Sequence, residues 1–240
     1  MKYSWRLARL RGININIHWS FSFVILWVLV QGYIDRRPLD SILLILAGVL
    51  LVFGCIMLHE LGHALTALSL NVDVKQIVLL PFGGLAQIQT VPERPFHEML
   101  IAAAGPLVNL ILVFALLPVL VATGGPALIT SIFIAPVAVI DYTIISFFRE
   151  NNLSGLVLLL IISNAILFAF NLIPAFPMDG GRILRSGLSL FISYKRATRL
   201  SMVFGIAIAL TLIVLALRQG RFGLAVVGLF IIFAARPMRG

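Results

Sequence analysis

The stretch SILLILAGVLLVFGCIMLHELGHALTAL, residues 41–68, runs without a charge from Ser41 to Leu58 and then sets His59, Glu60 and His63 within five positions. Twenty-eight residues of helix extend about 42 Å, more than the roughly 30 Å hydrocarbon core of a bilayer, so this segment reads as a membrane-crossing helix. An ionisable side chain inside a membrane span costs about 3 kcal/mol by insertion scales, and three so close together need a shared purpose.

Composition agrees with a membrane setting. The chain has 240 residues, 61% hydrophobic and 11% charged, which leaves too little polar surface to coat a water-soluble globule. The net charge of +9 comes from basic residues scattered through short loops, and this pattern fits membrane orientation rather than nucleic-acid binding. Lys2, Arg6, Arg9 and Arg11 precede the apolar stretch 17–34, which is longer than a signal-peptide core and lacks a small-residue cleavage site. It is therefore read as a first helix that stays in the membrane. The single cysteine, Cys55, excludes an internal disulfide.

Further apolar segments cover 98–122, 154–173, 199–217 and 222–235. Segment 126–148 is ambiguous, because Pro136 interrupts it and Asp141 lies inside it. If it does not cross, six helices alternate from a cytosolic N-terminus, 13 basic residues face the cytosol, and Arg36, Arg37, Arg149, Arg218 and Arg221 lie outside. One crossing there would move the five basic residues from Arg182 to Arg199 outside and lower the inside count, so the positive-inside rule favours a re-entrant or surface-lying element. The expectation is an all-α polytopic membrane protein of about six transmembrane helices. It forms one membrane-embedded domain over residues 1–240, with a catalytic core at about 41–185, a first helix at 17–34 and the last two helices within 199–235.

Between the second and third spans, KQIVLLPFGGLAQIQTVPERP (residues 75–95) has a different texture. Gly83 and Gly84 supply a tight turn between two β-prone flanks, 76–80 and 85–91, so the segment reads as a β-hairpin apolar enough to dip into the membrane. An ordinary cytosolic hairpin is equally compatible with the pattern.

His59 and His63 stand at i and i+4 on one helical face, with Glu60 rotated to the side. Two histidines that bind a metal and a glutamate that handles protons suit a catalytic zinc site, which also needs a third protein ligand and an open position. Few candidates exist among nine acidic residues and four histidines. His18 reads as an interfacial anchor, His97 has no partner at i+4, and most of the acids fall in loops. Asp179 remains, in FNLIPAFPMDGGRILR (170–185), where Pro174 and Pro177 break the helix and Gly180 and Gly181 follow the aspartate. Charge counting puts this segment and the histidines on the cytosolic side of their spans.

These motifs together resemble the site-2 protease family of intramembrane zinc metalloproteases. HELGH (59–63), GPLVN (105–109) and NLIPAFPMDGG (171–181) match that family in order, spacing and membrane context. LLPFGG (79–84) and IHWSF (17–21) are similar to its archaeal and bacterial members. The resemblance covers roughly residues 10–200. It implies one Zn²⁺ per chain, bound by His59, His63 and Asp179, with Glu60 as the catalytic base. It also implies that Asn171 and the prolines after it, Pro174 and Pro177, handle the substrate strand. The CBS and PDZ domains that many relatives carry are not expected in these 240 residues.

A transmembrane substrate must have its helix unwound before attack, and the freed backbone groups need partners. The hairpin edge near Gly83, Gly84 and Gln87 is a candidate, since an extended peptide can add to an open strand edge. Asn171 is a candidate oxyanion donor, and a helix-end role is equally compatible with it. Asn109 and Asn164 either line the cavity or hydrogen-bond between helices, while Cys55 reads as packing. The function expected is hydrolysis of a peptide bond in or near the transmembrane segment of a membrane-protein substrate. The partners expected are that substrate and the lipid bilayer, with no nucleic acid, in a multi-pass cell-membrane protein. A membrane metal-ion transporter or binding protein is the alternative, but it would spread polar residues along a path through the bilayer.

Overall fold

In the computed structural model, the residues described are 4–81, 83–88, 94–123, 153–220 and 222–234. Segment 126–148, the ambiguous one, lies outside them. The described elements are β1 (Ser4–Leu10), β2 (Ile13–His18), a 3-10 turn (Trp19–Phe21), α1 (Ser22–Ile34), α2 (Leu39–Ser69), β3 (Val74–Leu80), β4 (Gly83–Ile88), α3 (Pro95–Ala122), α4 (Leu153–Asn171), α5 (Asp179–Ser189), α6 (Tyr194–Gln219) and α7 (Phe222–Ala234). Four of these, α2, α3, α4 and α6, are long and apolar enough to cross a membrane.

The strands revise the all-α expectation. The hairpin β3–β4 is half of a four-stranded sheet of order β1-β2-β3-β4, and the other half comes from the N-terminal segment. The sequence ININIH alternates with the two-residue period of a strand, and it buries Ile13 and Ile15 while Asn14 faces outward. Arg11 and Gly12, at φ 46° and 89°, make the two-residue turn that joins β1 to β2. Positive φ at both positions matches the strand twist of a tight hairpin. β2 then pairs in parallel with β3, Asn14 opposite Gln76 and Ile17 opposite Leu79, and α1 and α2 form the long crossover that a parallel pair requires. Asn16 Nδ2 donates to Gln76 Oε1 at 2.7 Å across this pair.

The β3–β4 turn also differs from the sequence reading. Leu80 pairs with Gly83 and Leu79 with Gly84, so both glycines belong to β4 rather than to the loop before it.

The sheet positions the end of α2. Ile13, Ile15, Val74 and Ile77 from the strands pack with Leu61, Ala64 and Ala67 of α2 and Ile101 of α3 in one buried cluster. At about 25 cal/mol per Å² of apolar surface, each fully buried Ile contributes roughly 2–3 kcal/mol to holding the two layers together. Above it, Leu120 of α3 packs on Val157, Leu158 and Ile161 of α4. At the far end, Ala175 and Met178 of the α4–α5 connection pack with Ala209 of α6 and Ile231 of α7.

The connection from α4 to α5 is broken at Pro174 and Pro177, as their missing N–H groups dictate, but the chain resumes a helix at Asp179 itself. A carboxylate in the first helical turn is favourable against the helix dipole. α5 is fastened by Arg185, whose guanidinium pairs with Glu98 of α3 and lies 5.0 Å from the ring centroids of both Phe176 and Tyr194. The side chain of Glu98 is 1% exposed.

Breaking a buried pair strands its partner's charge, so Arg185→Ala is expected to cost about 3–5 kcal/mol. Arg37→Ala, at the surface pair with Asp35, is expected to cost under about 1 kcal/mol. Thermal melting in detergent checks this contrast, and equal shifts for the two variants would contradict it.

Candidate active site

His59 and His63 emerge from the buried side of α2 one turn apart, and their rings stand at 86° to each other. Asp179 approaches from the first turn of α5. Both ring contacts depend on Gly105 of α3: a Cβ there would fall 2.7 Å from His59 Nε2 and closer still to His63 Nε2, so the imidazoles rest on bare backbone. Asp179 is brought in by a similarly close approach. A Cβ at Gly181 would stand 2.7 Å from the carbonyl carbon of Ala175 and the nitrogen of Phe176, so only glycine lets α5 seat on the preceding loop.

Three ligand-type atoms converge as a result. His59 Nε2 lies 3.0 Å from His63 Nε2, His63 Nε2 lies 3.1 Å from Asp179 Oδ2, and His59 Nε2 lies 3.3 Å from that same oxygen. All three residues are buried, and they form the one cluster of its kind among the described residues. The other ring nitrogens are occupied. His63 Nδ1 is 2.6 Å from the carbonyl oxygen of Ile101, which can only accept, so Nδ1 carries a proton and, in the neutral ring, Nε2 carries the lone pair. His59 Nδ1 is 2.7 Å from Asn109 Oδ1 and is disposed in the same way.

With both imidazoles neutral, their Nε2 lone pairs and a carboxylate oxygen face one point, an arrangement that a metal cation resolves. Ligands about 2.0–2.2 Å from a tetrahedral zinc are about 3.3–3.6 Å apart, close to the separations seen. The donor set and its spacing therefore fit a single metal ion.

The surrounding cavity is about 490 Å³. Ile56, Glu60, Gly83, Gly84, Leu167, Phe170, Asn171, Pro177, Met178, Arg182 and Phe230 line it beside the three ligand candidates. Glu60 is in place at its wall, and the lack of a side chain on Gly84 makes room for it, since a Cβ there would strike the Glu60 carboxyl. Arg182 Nη1 stands 3.9 Å from Asp179 Oδ1, the oxygen turned away from the histidines.

The structure separates the sequence-derived substrate residues. Asn171 and Pro177 border the cavity; Pro174 is exposed and does not line it. Asn171 is the last residue of α4, and its Nδ2 donates to the Leu167 carbonyl at 3.0 Å, a helix-end bond. Gln87 lies on β4 opposite Gln76, and its side chain is outside the described residues. Cys55 is buried one turn before His59 and does not line the cavity. The contributions of Ile101 and Arg182 were not foreseen. A backbone carbonyl leaves no mark in sequence, though a glycine inside the apolar GPLVN segment is itself a sign of close approach.

Comparison with known proteins agrees with this geometry. Residues 47–212 match the profile described as Peptidase family M50, and the chain belongs to that family. It is 34% identical over 237 residues to Zinc metalloprotease MJ0392 of Methanocaldococcus jannaschii, an alignment covering 98% of this chain and 60% of that protein. It is 30% identical over 201 residues to Stage IV sporulation protein FB of Bacillus subtilis, covering 83% of this chain and 56% of that protein. The chain thus spans a little over half the length of these curated relatives. Among solved structures, the Site-2 Protease from Methanocaldococcus jannaschii superposes with a TM-score of 0.58 at 32% identity, covering 97% of this chain and 94% of that one.

Gly105→Ala should displace both imidazoles and lower the zinc content of the purified protein at least tenfold, read by elemental analysis. Full zinc occupancy in this variant would show that the close packing on α3 does not hold the histidines.

Proposed function

We propose that this chain is an intramembrane zinc metalloprotease that hydrolyses a peptide bond in or near the transmembrane segment of a membrane-protein substrate, in the manner of regulated intramembrane proteolysis. The observation that carries this reading is the cavity in which three metal-type donors from α2 and α5 converge beside Glu60. A metal transporter is less well supported, because the metal-capable side chains among the described residues gather at one point instead of following a path.

His59, His63 and Asp179 would hold one Zn²⁺, whose bound water would have its pKa lowered to about 7 and whose charge would polarise the scissile carbonyl. Glu60 takes the proton of the attacking water and passes it to the leaving amine nitrogen. It follows His59 directly on α2 and lines the cavity wall, which supports this role. Asn171, at the rim of the cavity, is a candidate to hold the substrate strand or to donate to the carbonyl oxygen as it becomes negative. Pro177 shapes the same rim. Gly83 and Gly84 put bare backbone of β4 against the cavity, and among the described residues β4 is an edge strand of the sheet. An unwound substrate segment adds there as a further strand, so that its freed backbone groups are satisfied within reach of Glu60.

The proposed topology has about six crossings. α1 with its preceding turn (Trp19–Ile34) and α7 join the four long helices, with the N-terminus cytosolic and the site toward the cytosolic side. α2, at 31 residues and about 46 Å, is longer than the hydrocarbon core, which leaves room for its His59–Ser69 end to lie near that face. The catalytic core at residues 41–185 belongs to a single membrane-embedded domain spanning 1–240.

Glu60→Gln should abolish cleavage of a transmembrane peptide in detergent, a loss of at least a hundredfold, while zinc content is retained. Equal cleavage by wild type and variant, or by neither, would count against the protease reading. Gln87→Pro removes a backbone N–H from β4 and should reduce cleavage with zinc content intact, and unchanged turnover would dispose of strand addition.

A further inference from the structure

A chain of side-chain amides runs from His59 into the membrane-buried middle of α4. His59 Nδ1 meets Asn109 Oδ1 at 2.7 Å, Asn109 Nδ2 meets Asn164 Oδ1 at 3.2 Å, and Asn164 Nδ2 meets the carbonyl oxygen of Leu160 at 2.8 Å. Asn109 and Asn164 are completely buried, where an amide left without its partners is costly. The far end of the chain decides its direction. A backbone carbonyl can only accept, so Asn164 must turn its NH₂ toward Leu160 and its oxygen toward Asn109. Asn109 must then give its own NH₂ to Asn164 and turn its oxygen to the imidazole. His59 is left to donate from Nδ1, and its lone pair is aimed from Nε2.

We propose that Asn164 is a positioning residue for the metal site: acting through Asn109, it holds His59 in the tautomer whose Nε2 can bind a metal. This rests on the reading of His59 as a ligand. Without the Asn164 oxygen, Asn109 is free to rotate by half a turn and present its NH₂ to Nδ1. That rotation stabilises the opposite tautomer, with a proton on Nε2 where the metal should sit. His63 has no such dependence, because its Nδ1 is fixed directly by the Ile101 carbonyl. The two histidines are thus oriented by different means, one by backbone and one by a relay across three helices.

Substitutions separate this role from packing. Asn164→Leu keeps the branched side-chain skeleton and removes the acceptor, and it should weaken zinc binding 10–100-fold, the usual effect of losing an outer partner of a ligating histidine. In Asn164→Asp the buried carboxyl is neutral, donates its O–H to Leu160 and still accepts from Asn109, so affinity should stay within about threefold of wild type. Asn109→Asp presents only acceptor oxygens to Nδ1 and has no NH₂ to turn. In that background Asn164→Leu should change affinity less than about threefold, a non-additivity that a packing role would not produce.

The experiment is chelator-competition zinc affinity on the 240-residue protein for wild type, Asn164→Leu, Asn164→Ala, Asn164→Asp, Asn109→Asp, the double variant Asn109→Asp with Asn164→Leu, and His59→Ala, with the visible absorption of Co²⁺-loaded protein as a second readout. The result expected is a weakened Asn164→Leu with an altered Co²⁺ spectrum, both restored when Asn109→Asp is added. If His59→Ala weakens zinc but Asn164→Leu does not, or if Asn109→Asp fails to rescue, the relay is wrong and the site stands. If His59→Ala leaves zinc binding unchanged, the ligand assignment and the relay both fall. If neither Asn164→Leu nor Asn164→Ala folds, Asn164 is a structural residue and the proposal is overturned.

Discussion

Two imidazole nitrogens and a carboxylate oxygen within 3.3 Å of one another in a buried site, all presenting lone pairs, repel one another unless a cation stands between them. The rest of the structure serves that constraint. α2 contributes two of the three groups because residues at i and i+4 share a helical face, but one helix cannot supply a third at the right depth. The chain brings the third back 116 residues after His63, on α5. Gly105 removes the atom that would keep the imidazoles off α3, Gly181 lets α5 settle on the loop before it, and the Glu98–Arg185 pair ties α5 to α3 from the other side.

The sheet has a second task. Its buried isoleucines clamp the last turns of α2, the part of the helix that leaves the apolar core carrying the histidines. Its far edge, β4, reaches the cavity opposite the metal donors. A protease working on a transmembrane helix must offer both a nucleophile and partners for the backbone it unwinds. Gly83 and Gly84 of β4 line the same cavity as Glu60, so under the proposed function both provisions would lie within it.

The helical spans and the three metal-type residues were legible in the sequence because their signals are local and severe. Eighteen residues in a row without a charge can be matched by lipid, and an i/i+4 histidine pair at the end of such a run and an aspartate in a proline-broken segment are too costly there to stand without a common ion. The N-terminal strands were not read, although ININIH alternates clearly, because the apolar stretch from Ile17 onward drew its end into the first helix. That stretch is in fact shared between β2, a 3-10 turn and α1. The turn was misplaced for a related reason: two adjacent glycines are the stronger local turn signal, but pairing register is a long-range property and shifted them into β4. The relay through Asn109 and Asn164 was only half visible. Buried asparagines announce hydrogen bonds, but which carbonyl fixes their direction appears only when three helices are in place.

The central claim is that His59, His63 and Asp179 hold one zinc ion. X-ray absorption at the zinc edge on the purified, detergent-solubilised protein tests it most directly. The account predicts one zinc per chain with two imidazole nitrogens and carboxylate oxygen at about 2.0–2.2 Å, and no sulfur neighbour. A substoichiometric signal, or a zinc–sulfur distance near 2.3 Å that implicates Cys55, would contradict it.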